Sequence, residues 1–304
     1  MADKKYSKYV IPFDFKNDRP GFYRQVAAVS GQPFGLEFNI EYGAYWAAGN
    51  MGTEPPRPHT HDYNQVMLWL GGDGHDMGEL GAEVELNLGE EGETYMITSS
   101  SAVAVPAGLQ HYPAAIARMS RRFIYMEVST AAACSMKTRP ALKNRQEPGT
   151  GDMWKSKYQQ NITNIPFARK GPWSYGARNR DDSGGYLAFI SPKDPAMFEY
   201  LIMCESIKKA PYRFGPIPDK PHIHPKPEIL CFMGTNVNDL SQFDGEAEIA
   251  LGKEAEVHTI TRPTAVVIPG GFPHCPLTIT RADRPIILTD VRPFGSEAPS
   301  SKKP

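Results

Sequence analysis

Long apolar runs, a dominant charge and paired cysteines are all missing from this sequence, and each absence narrows the function. No segment approaches the roughly 20 consecutive apolar residues that cross a bilayer, so no membrane partner is expected. A net charge of −1 provides no field to gather nucleic acid or anionic lipid. The four cysteines, Cys134, Cys204, Cys231 and Cys275, have no CxxC spacing among them. The start of the chain, Met1-Ala2-Asp3-Lys4-Lys5-Tyr6, is polar and lacks the apolar core of a secretion signal. The thiols therefore read as reduced packing residues of a cytoplasmic protein.

What is abundant is glycine (27) and proline (28) in 304 residues, which favours many short elements joined by turns. With 40% hydrophobic and 22% charged residues, the composition is that of an ordinary globular chain, long enough for two domains of about 150 residues. An internal repeat gives that division a basis. Gly89 to Pro113 reads GEEGETYMITSSSAVAVPAGLQHYP, and Gly252 to Pro276 reads GKEAEVHTITRPTAVVIPGGFPHCP. They align without a gap at an offset of 163, with 11 identities in 25 positions. The same offset places His59 and His61 on His222 and His224, Gln65 on Glu228, Gly71 on Gly234 and His111 on His274. The chain is a tandem duplication, with expected domains at residues 1–145 and 146–304.

Each copy has the pattern of β-structure. Ala82 to Leu88 and Glu246 to Leu251 alternate polar and apolar residues, and Thr264 to Ile268 is a β-branched run closed by Pro269-Gly270-Gly271. Many short strands and few helical periods indicate a sandwich or barrel. A linker is expected at about Lys137 to Lys157, an inter-domain packing segment in preference to a lid over one barrel mouth at Phe167 to Tyr175, and a frayed tail from Ser296 to Pro304.

His222, His224 and Glu228 stand at i, i+2 and i+6. On one continuous strand, all three would project from the same face. His274 follows the Pro269-Gly270-Gly271 turn and can be brought alongside by a barrel. Three neutral imidazoles and a carboxylate suit Mn, Fe or Zn, and also Ni or Co, with open positions for water or substrate. By the same parity, Tyr63 and Lys226 face inward beside the ligands, as candidates to donate a proton or stabilise an anion; the alternative for Lys226 is that the flanking Pro225 and Pro227 break the strand and turn it to solvent. Cys231 and Cys275 have the opposite parity and should point away, while His75 and His258, outside the motifs, should be exposed.

These residues resemble the two signatures of the cupin superfamily. His222, His224, Glu228 and Gly234 match the first, and Pro269, Gly271 and His274 the second; the N-terminal copy matches with His59, His61, Gly71, Pro106, Gly108 and His111. The resemblance implies an all-β bicupin, two tandem double-stranded β-helix (jelly-roll) barrels with the ligands inside, and a homo-oligomer. It departs from the pattern at Gln65, where a neutral amide replaces the carboxylate. That leaves the first copy as a working three-histidine site, as a relic still holding metal, or as empty.

The resulting expectation is a divalent-metal enzyme acting on a small molecule. Hydrolytic or lyase cleavage of a C–C bond in a cyclic β-diketone or hydroxy-ketone is preferred, with Gln65, Tyr63 and Lys226 as catalytic candidates. The alternatives are an iron dioxygenase of the gentisate or quercetin type, an oxalate-type decarboxylase, and a binding or storage module, whose metal ligands are usually lost.

Overall fold

The computed structural model describes residues 4–16, 23–51, 57–133, 135–140, 156–165, 186–190, 198, 200–214 and 220–292. The segment Phe167 to Tyr175, the tail from Ser296 and residues 141–155 of the expected linker lie outside them. Regular structure among the described residues is β, apart from single turns of 3₁₀ helix. None of it is a helix long and apolar enough to cross a membrane.

In chain order the strands are β1 (Val10–Pro12), β2 (Tyr23–Ser30), β3 (Asn39–Tyr45), β4 (Gly49–Met51), β5 (His59–Thr60), β6 (Gln65–Gly71), β7 (Ala82–Leu88), β8 (Glu93–Ile97), β9 (Ser101–Val105), β10 (His111–Met119) and β11 (Phe123–Ser129). They continue with β12 (Lys137–Thr138), β13 (Ile162–Asn164), β14 (Tyr186–Ile190), β15 (Leu201–Ile207), β16 (Tyr212–Phe214), β17 (Glu228–Gly234), β18 (Gly245–Leu251), β19 (Glu256–Ile260), β20 (Thr264–Ile268), β21 (His274–Ala282) and β22 (Ile286–Arg292). Strands β6 to β11 recur as β17 to β22 with both ends displaced by 163 residues. The repeat seen in the sequence is thus a repeat of strand boundaries.

Each copy builds two antiparallel sheets around one core. In the N-barrel one sheet runs β13-β9-β6-β11-β3-β2 and the other β12-β5-β10-β7-β8, with β4 also on β10. Alternation explains the packing. Val84, Leu86 and Leu88 of β7 turn inward to meet Met67, Trp69, Val103, Val105 and Tyr125 of the other sheet, while Glu83 and Glu85 between them are only half-buried. In the C-barrel the sheets run β1-β20-β17-β22-β15-β14 and β16-β21-β18-β19, and Leu230, Phe232, Val266, Ile268 and Leu288 pack against Ile249, Leu251, Leu277 and Ile279.

The barrels interleave in sequence, where the repeat had suggested one cut after residue 145. One compact unit holds Phe13–Phe167 with Thr235–Ser241, and the other holds Met1–Pro12, Ala168–Gly234 and Gln242–Pro304. Strand β1 adds to the C-barrel by pairing with β20, and β13 adds to the N-barrel by pairing with β9. Both arms are clasped in the same way. Lys5 Nζ pairs with Glu254 (2.6 Å) and the Tyr6 hydroxyl donates to the same carboxylate; Lys157 Nζ pairs with Glu91 (2.7 Å), to which Tyr158 donates at 2.9 Å. Such exposed ion pairs contribute little to stability. The fit of each tyrosine ring over a glycine matters more. Gly252 and Gly89 have φ of +75° and +76°, and a Cβ at either would overlap the ring of Tyr6 or Tyr158.

Gly252→Ala combines left-handed strain with displacement of the Tyr6 ring. It is expected to destabilise the protein by about 1–3 kcal/mol, read as a shift in the denaturation midpoint at unchanged slope.

Candidate metal centres

The HxH segments are not continuous with the strands that follow. His59 lies on β5, residues Asp62 and Tyr63 form a bend, and β6 begins at Gln65; His222 makes an isolated bridge to His274, and the chain bends at Pro225 and Lys226 before β17 begins at Glu228. The expectation of a single strand from His222 to Glu228 is therefore corrected. Pro225 and Pro227 have no N–H for a ladder, so the strand breaks there. The ligands converge nonetheless, because β10 and β21 bring their first residue beside the HxH segment: His111 is registered with His59, and His274 with His222.

His59, His61 and His111 offer ligand atoms all within 4.8 Å of one another, and so do His222, His224 and His274. Their orientation is set by the backbone. The Nδ1–H of His59 donates to the Arg57 carbonyl (3.2 Å), that of His61 to Ser135, and that of His111 to Leu109 (3.0 Å). In the C-barrel His224 donates to Lys226 (2.6 Å) and His274 to Phe272 (3.0 Å). A carbonyl only accepts, so Nδ1 carries the proton and Nε2 keeps its lone pair for a ligand role. His111 Nε2 is buried with no hydrogen-bond partner, as is Gln65 Oε1. An orphaned buried imidazole nitrogen and amide oxygen carry a desolvation cost that a bound cation relieves. The donor set fits a divalent metal.

Burial holds His59, His61, His111 and His222 neutral. It pushes His59 down to about 4, against the smaller opposing effect of the Arg57 carbonyl, and lowers His61; His111 falls well below its usual range, from burial and from His59. His222 is pushed down to about 4 by burial and by His274. Neutral imidazole is the ligating form.

Where the barrels differ is the carboxylate position. Glu228 is 2% exposed, and its Oε2 sits 3.1 Å from both His224 Nε2 and His274 Nε2. Arg292 of β22 pairs with its Oε1, and also grips Asp290 through Nη2 (2.9 Å) and Nε (3.2 Å). Burial would raise the Glu228 carboxyl, but it is held well below the usual range with the charge of Arg292 beside it; the Nε2 lone pairs of His224 and His274 face the same carboxylate, as ligands around a shared cation would. Asp290 is fully buried and shifts the other way, raised by burial and by Glu228. In the N-barrel Gln65 and Ser129 occupy the places of Glu228 and Arg292. The acid and its counter-ion are absent together, so neither is left buried without the other.

Tyr63 is 7% exposed, and its ring stacks on His61 with centroids 4.7 Å apart. Lys226 sits in the bend, half-buried, and contributes its carbonyl to His224; with the strand broken, the parity argument for its side chain no longer holds. Cys231 is buried, outside the interior cluster that holds its neighbours Leu230 and Phe232. Cys275 departs from its expected direction: it joins the interior cluster and feels the charge of Glu228. Its φ is 72°, and the β18–β21 register shifts beside it, which breaks strict alternation. Tyr112, its counterpart at φ 67°, stacks on His59 at 4.9 Å. His75 is exposed as expected, but His258 is 5% exposed and pairs with Glu256 (2.8 Å).

No family model and no curated protein matches the sequence. Solved structures do match. A serine-to-alanine mutant of Bacillus subtilis oxalate decarboxylase gives a TM-score of 0.62 at 10% identity, over 95% of this chain and 78% of that one. The formate complex of Lactobacillus farciminis oxalate decarboxylase gives 0.59 at 11% identity, over 94% and 86%. A further Bacillus subtilis oxalate decarboxylase structure, from work on that enzyme's Mn(II) centres, gives 0.58 at 10% identity, over 95% and 78%. The fold is cupin-type. Both cupin barrels are present, since the match runs along almost the whole chain, and at this level of identity the likeness speaks for architecture.

Sequence reasoning missed Arg292, Asp290, Tyr112, Tyr125 and Glu127. The signal was available in the repeat: Asp290-Val291-Arg292 falls on Glu127-Val128-Ser129 at the offset of 163, so an acid recurs two residues before the position that pairs with Glu228 or Gln65.

Because the histidine pKa values lie below their ordinary 6.5, the unfolded chain binds protons that the folded one refuses. The stability this contributes is complete above 6.5 and is lost as pH falls toward 4. The thermal midpoint of the metal-free protein is expected to drop across that window.

Proposed function

We propose that this chain is a divalent-metal enzyme that cleaves a C–C bond of a small, uncharged oxygenated substrate, such as a cyclic β-diketone or hydroxy-ketone, with water and in the N-barrel. His59, His61 and His111 would hold one ion; His222, His224, His274 and Glu228 would hold the other. A bound divalent ion supplies Lewis acidity, polarising a carbonyl and stabilising the enolate that C–C cleavage leaves.

The observation that carries this reading is the charge inside the N-barrel. Strands β3, β6 and β11 contribute Glu41, Gln65, Glu127 and Ser129, and none of the three contains a lysine or arginine. A dianion such as oxalate would meet the carboxylates Glu127 and Glu41, registered directly across from each other. A neutral diketone or hydroxy-ketone loses nothing there. Gln65 can donate its amide N–H to a substrate oxygen, and a neutral Gln beside three neutral imidazoles leaves the ion's charge undiminished. Tyr63, stacked on His61, holds that ring in place.

Decarboxylation of a small acid is the second reading, favoured by the likeness to oxalate decarboxylases. In the C-barrel Arg292 is the cation such a substrate would need, but it is already engaged by Asp290 and Glu228.

Metal-loaded protein is expected to carry two ions per chain, and His111→Ala and His274→Ala each to lose one, read by elemental analysis. In a panel of cyclic β-diketones, hydroxy-ketones and dicarboxylates, turnover is expected with the first two classes and to persist without oxygen. Obligate oxygen uptake would establish a dioxygenase instead, and carbon dioxide release from a dicarboxylate would establish the decarboxylase.

A further inference from the structure

A chain of hydroxyls leads from the N-barrel histidines to a carboxylate, and the C-barrel lacks it. Tyr112 stacks on His59 with ring centroids 4.9 Å apart. Its Oη lies 3.5 Å from Oη of Tyr125, and Tyr125 donates to Glu127 Oε2 at 3.1 Å. Tyr125 and Glu127 are two residues apart on β11 and so share the inward face, where Tyr125 is part of the core. Burial, with Tyr112 and Glu127 beside it, holds the Tyr125 phenol well above its ordinary range, so it remains a neutral hydroxyl able to accept and donate at once. Glu41 of β3, registered against Glu127, is the other carboxylate in this row of the sheet.

The duplicated barrel provides an internal control. At the offset of 163, Tyr112, Tyr125 and Glu127 become Cys275, Leu288 and Asp290. Both phenols are gone, and the remaining acid is bound bidentately by Arg292. The two copies share strand boundaries and a histidine triad but differ in this path. Barrel packing alone does not require it, because the C-barrel closes around a thiol and a leucine instead.

We propose that Tyr112, Tyr125 and Glu127 form a proton relay serving the N-barrel centre, with Glu127 as the terminal acid–base group. The inference rests on the hydrolytic reading above. As water adds to the substrate carbonyl, it loses a proton to Tyr112 Oη while the Tyr112 proton passes to Tyr125 and the Tyr125 proton to Glu127. The C–O bond forms, the carbonyl π pair moves to oxygen, and both phenols end unchanged. When that pair re-forms the carbonyl, the C–C bond breaks and its electrons leave as an enolate. Return of the proton from Glu127 along the same path quenches the enolate carbon, so one water is consumed and no oxidant is needed.

The relay is tested with 4-nitrocatechol, a chelating probe that gives up protons on binding a metal and changes colour, added to manganese-loaded protein at a pH where carboxylates are ionised. Calorimetry in buffers of different ionisation heat counts the protons released, and stopped-flow absorbance times the chelation. In Glu127→Gln the terminal acceptor is gone, so one more proton per chain is expected in the buffer than with the parent protein. Tyr125→Phe keeps the acceptor and cuts the path, so the count is expected to stay and chelation to slow by at least about tenfold. Tyr212→Phe, which removes a buried hydroxyl that donates to Glu205 in the C-barrel, is expected to match the parent in both measurements. An unchanged proton count in Glu127→Gln, or an unchanged rate in Tyr125→Phe, overturns the relay and leaves the hydrolytic reading standing. Failure of the manganese-loaded protein to bind the catechol overturns the chelating centre and the relay together.

Discussion

Five of the six clustered imidazoles give their Nδ1 proton to a backbone carbonyl, and the rest of the site depends on that constraint. A buried imidazole has one nitrogen that must donate and one that must accept, and either left alone costs free energy. By satisfying the donor with a rigid carbonyl, the fold chooses the tautomer and aims the lone pair at a common point. The carbonyls lie just ahead of β5, β10, β12, β17 and β21, so the barrel's connectivity fixes the ligand geometry. Burial then depresses the pKa values of His59, His61, His111 and His222 and keeps those rings in the form a metal can use.

The two barrels solve the problem of buried charge in different ways. In the C-barrel Glu228 stays ionised because Arg292 pairs with it, and His224, His274 and Asp290 complete the cluster. A lone carboxylate at that depth would be driven to protonate. In the N-barrel the acid and its counter-ion are both replaced, by Gln65 and Ser129, while Tyr125 and Glu127 stand on the inward face of β11. Gene duplication preserved the frame and the histidines while the electrostatics of the two interiors diverged. That divergence points to different work in the two barrels.

Much of this was legible in the residues themselves. The 163-residue offset is a property of the chain, and it carried over to both ends of six strands. The histidine triads were legible as well, since HxH and a histidine after a Pro-Gly turn are local patterns. Parity was less secure. It placed Cys231 away from the interior but misdirected Cys275, because a residue at φ 72° beside a register shift leaves the two-residue alternation. It also treated His222 to Glu228 as one strand, where two prolines impose a bend. His258 was misjudged because its burial depends on how β19 packs, which no local pattern of its own residues expresses.

By itself, then, the sequence determined the duplication, the all-β architecture and the seven candidate ligands, because these follow from period, turn chemistry and short spacings. Only the tertiary structure decided what stands beside those ligands. Arg292 against Glu228, Tyr112 over His59 and Tyr125 on Glu127 are pairings set by strand order and by departures from alternation. Their electrostatic meaning also depends on burial, and burial belongs to the closed barrel as a whole.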